Sequence, residues 1–150
     1  MEIFRLTNVK YSKSLQASGK ANRWNKEEQH VLYAGASRSL VTLESLVHLS
    51  GVIPKTTYKM MVIKVKNPQK SIKSISSSQL SPEWRTLSGY HLNQEIGSAW
   101  YQNKNKLLLK VPSAVIPEEY NYVLNTFHPE YTSKVSIEKV EDYFWDRRLF

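Results

Sequence analysis

The 150-residue chain contains no cysteine. That excludes a disulfide framework, a thiolate metal site and a cysteine nucleophile. Glycine is scarce as well, with five residues, and no GxSxG elbow, GxxxxGK[ST] phosphate loop or GxGxxG turn occurs. A serine hydrolase built on that elbow, a P-loop nucleotidase and a Rossmann dehydrogenase therefore have no motif to stand on. Uninterrupted apolar runs are short, far from the roughly 20 residues that cross a bilayer. The start Met1-Glu2-Ile3-Phe4-Arg5 lacks the basic and apolar regions of a signal peptide. The expectation is a soluble, cytoplasmic protein with no membrane role. His30, His48, His91 and His128 are dispersed, without HExxH or an i,i+4 pair, so no metal centre is expected.

What is present suits one compact domain spanning 1-150. Hydrophobic residues make up 41% and charged residues 23%, with 4 Trp, 9 Tyr and 4 Phe, enough apolar area for a core. The net charge of +8 is unevenly spread: 17 basic and 6 acidic residues lie up to Lys110, and 4 basic and 7 acidic ones follow. Lys59, Lys64, Lys66, Lys70 and Lys73 run through strand-like text without interleaved aromatics, which reads as a solvated sheet face rather than a nucleic-acid groove.

The order of elements is mixed α and β. Glu2–Leu6, Val31–Ala34, Thr57–Lys66, Leu107–Val111 and Asn121–Leu124 read as strands, and Lys70–Ser78 as an edge strand running into a loop. Helical spacing of Leu40, Leu43, Leu46 and Val47 predicts a helix over Ser39–Leu49, capped by Ser37 or Ser39 and ended by Gly51, with Leu40, Leu43 and Val47 toward the core. A second helix is expected over Leu92–Gln102, with Leu92, Ile96 and Ala99 or Trp100 inward and Gly97 marking a close approach. A third is expected over Ile137–Trp145, with Ile137, Val140 and Phe144 inward.

The residues able to carry chemistry are few. Glu44 lies four after Leu40 and three before Val47, so it is drawn to the edge of an apolar helix face. Such a carboxylate is either a salt-bridged flank residue, with Arg38 or Arg23 as partner, or an acid at a pocket rim that favours positive charge as a glycosidic bond breaks. Arg23, beside Trp24 in a polar loop, offers the planar fork best suited to phosphate, or else stacks on the surface. Tyr33 ends a strand and fills core or walls a cleft. Ser113 sits in the Val111-Pro112-Ser113-Ala114-Val115-Ile116-Pro117 run, as a turn residue or a pocket hydroxyl.

In order, Arg23-Trp24-Asn25, Val31-Leu32-Tyr33, Leu43-Glu44-Ser45-Leu46-Val47-His48, Ile96-Gly97-Ser98-Ala99-Trp100, the Val111–Pro117 run, Asn121-Tyr122-Val123-Leu124-Asn125 and His128-Pro129 resemble the RES domain, the toxin half of Xre/RES toxin-antitoxin systems. The resemblance extends from about Phe4-Arg5 to Pro129. Two departures are visible: Ala21-Asn22 stands where the family commonly has a glycine pair, and Glu130 where aspartate is usual. The resemblance implies an α+β domain of the ADP-ribosyltransferase fold, with a central, mostly antiparallel split sheet flanked by helices. It implies consumption of NAD⁺ as substrate, with no permanent cofactor: nicotinamide is split off by hydrolysis or phosphorolysis, or ADP-ribose is passed to a protein. By motif, Arg23 would hold an NAD phosphate, Trp24 and Asn25 would belong to the same binding loop, Tyr33 would stack near the nicotinamide, Glu44 would act on the ribose side and Ser113 would line the pocket. The partner implied is an Xre-type helix-turn-helix antitoxin that itself binds DNA, with a homodimer left open.

Overall fold

A computed structural model describes residues 1–150. Seven strands form one sheet: β1 (Glu2–Asn8), β2 (Val31–Gly35), β3 (Tyr58–Val65), β4 (Ile72–Ser74), β5 (Leu108–Pro112), β6 (Tyr120–Asn125) and β7 (Val135–Tyr143), in the spatial order β4-β5-β6-β2-β1-β3-β7. All neighbours are antiparallel except β4 and β5. Three helices accompany the sheet: α1 (Arg38–Leu49), α2 (Tyr90–Asn103) and the single turn α3 (Tyr131–Lys134). This is the α+β, mostly antiparallel arrangement expected. No helix is long and apolar enough to cross a membrane.

The sheet is split. β1 runs beside β3 over seven residue pairs, and β2 beside β6 over five, but β1 and β2 meet at the single pair Phe4↔Gly35. From that seam the halves β1-β3-β7 and β4-β5-β6-β2 diverge. Strand alternation then sorts the core. Met61, Ile63 and Val65 join Ile3, Leu32 and Leu108 on one face, while Met60 and Val62 meet Phe4 and Val41 on the other. Both faces of β3 are therefore covered. Behind β5 and β6 a further cluster gathers Trp24, Trp84 and Trp100. Burying Trp100 completely makes it one of the largest single contributors, since truncating such a side chain costs about 3–5 kcal/mol.

The first two helices form where expected, but their inward faces differ in part from those expected. Ser37 caps α1, accepting from the Leu40 N–H at 3.1 Å. The buried residues of α1 are Leu40 and Val41, whereas Leu43 and Val47 are 36% and 58% exposed. The inward stripe is thus rotated toward Val41, Glu44 and Ser45. In α2 Trp100 is buried and Ile96 packs against its cluster, as expected, with Asn93, Gly97 and Ser98 completing the buried side, whereas Leu92 is half exposed. Gly97 does mark a close approach: a Cβ there would lie 1.8 Å from the Trp24 carbonyl oxygen.

Ile137–Trp145 is not a helix. Val135–Tyr143 pairs with β3 as β7, and the register shifts between Val62 and Ile63, so Ile137 faces Ile63 while Val140 faces Met61. The shift absorbs one residue, so positions three apart share a face and imitate helical spacing. The charges between them are held at this edge by Lys59–Asp142, Lys64–Glu138 and Arg38–Glu141 ion pairs.

Candidate active site

A cavity of about 780 Å³ opens at the seam, within the range of small-molecule sites. Its wall takes Arg5 and Leu6 from β1, Val31 to Ala34 from β2, Val41, Glu44, Ser45 and His48 from α1, Asn121 from β6, and much of the segment Lys10–Asn22. Alternation places Arg5 on the same face as Ile3, whereas α1 packs over the Phe4 face. Both Arg5 and Glu44 line one cavity because the sheet is open between β1 and β2. Glu44 is the sole acid in a wall that also carries Arg5, Lys10, Lys20 and His48.

Glu44 is held from below. Its Oε1 accepts from the Ser113 hydroxyl at 2.7 Å and from the Asn121 amide at 2.5 Å, and Oε2 has no protein donor. Ser113 is fully buried at the end of β5, and its Oγ accepts the Val115 and Ile116 N–H groups at 3.1 and 3.0 Å. With two backbone donors occupying the oxygen, the hydroxyl proton is left to donate to Glu44. Ser113 therefore reaches the cavity through Glu44 rather than lining it.

Arg5 is the cation the sequence reading passed over. It makes no hydrogen bond or ion pair with any protein group, and burial lowers its pKa, opposed by the charge of Tyr131 nearby. A desolvated guanidinium with its donors unspent at a cavity wall is an anion site. Tyr131 in turn donates to the Leu15 carbonyl at 3.1 Å and helps hold the loop that closes the wall; burial pushes its phenol up to about 12. The sequence signal for Arg5 was a charge on the face that Ile3 and Thr7 bury.

Tyr33 lines the cavity, and its hydroxyl donates to Asn25 Oδ1 at 2.7 Å and accepts from the Trp24 N–H at 3.1 Å. Burial raises the phenol's pKa strongly, partly offset by that backbone donor, so it stays neutral. The loop itself is a brace. Asn25, 1% exposed, donates through Nδ2 to the Lys20, Lys26 and Gln29 carbonyls. Trp24, 3% exposed, packs with Trp84 and Trp100 and against Gly97. Neither lines the cavity, and both make hydrogen bonds with the Tyr33 hydroxyl. Arg23 does not line it either. Its Nη1 donates to the Trp84 carbonyl at 2.7 Å and its guanidinium lies 4.6 Å from the Tyr90 ring centroid. One donor and one face of Arg23 are thus engaged by the protein, and the arginine that stands in the cavity wall is Arg5.

This arrangement, a split antiparallel sheet with an acid on the first helix and a cationic wall, can be set beside known proteins. The chain matches the RES domain over residues 2–146. It belongs to the RES family. Among curated relatives, this RES protein is 31% identical to "Prs ADP-ribosylating toxin" of Sphingobium sp. (strain YBL2), covering 85% of this chain and 79% of the relative. It is 29% identical to "Toxin Res" of Photorhabdus laumondii, covering 99% and 97% of the two chains, and 32% identical to "Toxin Res" of Pseudomonas putida, covering 91% and 88%. In fold it is similar to a chain of the M. tuberculosis MbcT–MbcA toxin-antitoxin complex, with a TM-score of 0.75 at 15% identity, covering 95% of this chain and 83% of that one.

Proposed function

We propose that this RES protein is the toxin of a toxin-antitoxin pair and acts on NAD⁺, breaking the bond between nicotinamide N1 and ribose C1′. The observation that carries the reading is the pairing of one immobilised carboxylate, Glu44, with an unengaged guanidinium, Arg5, in a single cavity. In NAD⁺ the nicotinamide ring is cationic and departs neutral, taking the bonding electrons, so no general acid is needed. Positive charge develops on the ribose instead, and a fixed carboxylate beside it stabilises the oxocarbenium-like transition state. Arg5, with Lys10 and Lys20 in the same wall, would hold the diphosphate. Tyr33 is a neutral, flat, braced ring against which nicotinamide can rest, and its bulk excludes water. Water or phosphate then bonds to C1′, the attacking water's proton passing to solvent.

Transfer of ADP-ribose to a protein is the second reading, favoured by the name of the Sphingobium relative. It uses the same bond cleavage with a different acceptor. Relatives named as toxins, and the complex in which the structural neighbour was solved, support an antitoxin partner, for which we propose an Xre-type protein. The test is incubation of the purified chain with NAD⁺ labelled in the adenine half. Free nicotinamide with soluble labelled ADP-ribose or its phosphate ester supports degradation; label found only on added cell protein supports transfer. NAD⁺ left intact in both mixtures would refute both.

A further inference from the structure

Asn121, which lines the cavity and donates to Glu44, stands where the elements of the site meet. It stands on β6 opposite Gly35, the residue that also makes the single pair joining the two halves of the sheet. A Cβ on Gly35 would lie 2.5 Å from Val41 Cγ1 and 3.2 Å from Asn121 Oδ1. A side chain there would crowd Val41 of α1 and the Asn121 amide together, so the seam between α1 and β6 is close-packed where Glu44 meets Asn121.

We propose that Asn121 is a positioning residue that fixes which oxygen of Glu44 is available to substrate, an inference that rests on the nicotinamide-releasing reading above. Two donors converge on Oε1, Asn121 Nδ2 at 2.5 Å and Ser113 Oγ at 2.7 Å, and Oε2 is left without one. Ser113 alone would fix a point, about which the carboxylate could still turn. The second donor, coming from a different strand, fixes the plane. Because Ser113 is locked by the Val115 and Ile116 N–H groups, it cannot follow Glu44 if the carboxylate swings, so loss of Asn121 releases the rotation rather than shifting the whole group. Asn121 thus serves catalysis by orientation, without touching the bond that breaks.

The test uses the full chain and NAD⁺, reading nicotinamide release and, in parallel, thermal unfolding. In Asn121→Leu, kcat is expected to fall about 10- to 100-fold, the size of one lost hydrogen bond to a charged group, with KM within about threefold of the parent. Asn121→Asp keeps the shape and replaces the donor by a second carboxylate. Its kcat relative to the parent is expected to be lowest near pH 8 and to climb toward pH 5.5, where the two carboxylates share a proton. Arg5, Lys10, Tyr11, Lys20, Tyr33 and His48, the other ionisable groups lining the cavity, are common to both proteins and cancel in that ratio. A side chain with a merely structural role would change the unfolding temperature but neither the kcat of the folded protein nor the pH trend of the ratio. Folded Leu and Asp variants with kcat within twofold of the parent, or a loss confined to KM, overturn the proposal while leaving the reaction intact. A parent chain that releases no nicotinamide overturns the reaction and the proposal together.

Discussion

Arg5 and Arg23 are the same residue type, and they differ in what has already been used. Arg23 gives a hydrogen bond to the Trp84 carbonyl and lies over Tyr90, within a loop that Asn25 ties to three carbonyls. Arg5 gives nothing to the protein and lines the cavity with Glu44. A third arginine completes the contrast: Arg38 donates to both oxygens of Glu141 at 2.9 and 2.8 Å and covers Phe4. A guanidinium finds a ligand by having donors to spare in a desolvated place, so the count of internal partners separates brace from binding group better than the residue type does.

The strongest way to sharpen that contrast is to remove the one negative charge in the cavity wall. We expect Glu44→Gln to reduce kcat for nicotinamide release by about 10²- to 10³-fold, the usual size for one preorganised electrostatic contact, with the fold retained. The brace should answer differently. Gly97→Ala sets a methyl group against the Trp24 carbonyl and should cost about 1–3 kcal/mol, visible as a lowered unfolding temperature, with activity lost only as the loop behind Tyr33 loosens. Asn25→Ala leaves buried carbonyls at Lys20, Lys26 and Gln29 short of a donor and Tyr33 short of an acceptor. Its cost of about 1–3 kcal/mol should appear in denaturant unfolding together with a raised KM.

The smallest effect belongs to the engaged surface pair. Hydrogen bonds from Arg38, then Lys139, hold the Glu141 carboxyl at about 2, below its usual range. A depressed acid stabilises the fold above its unfolded pKa of about 4.3 and loses that contribution as pH falls toward 2. Arg38→Ala should flatten this acid limb in urea midpoints between pH 5 and pH 2, and only slightly, because the pair is exposed.

Much of the fold was legible because periodicity and local chemistry agree. Ser37 before an apolar helix, and the nearly continuous apolar run Met60–Val65, each specify one structure, and both form it. Ile137–Trp145 was misread because the shift in β7 makes a strand repeat every three residues where it occurs, a spacing a helix also produces. The site was legible where a residue breaks its surroundings: Glu44 is a carboxylate on the inward side of α1 and Tyr33 a phenol at a strand end. It was illegible where the deciding partner is remote. Arg23 is engaged by Trp84, 61 residues on, and Ser113 acts on Glu44 across 69 residues. Arg5 looked like an ordinary charge in a short strand, and only the parting of β1 from β2 gives it a cavity to face.

The comparison comes down to one assay: the initial rate of nicotinamide release from NAD⁺ by Arg5→Ala and Arg23→Ala, each confirmed folded, beside the parent chain. We expect Arg5→Ala to lose at least about 10²-fold in kcat/KM and Arg23→Ala to stay within about threefold. Loss in Arg23→Ala with full activity in Arg5→Ala would contradict the assignment of the cavity.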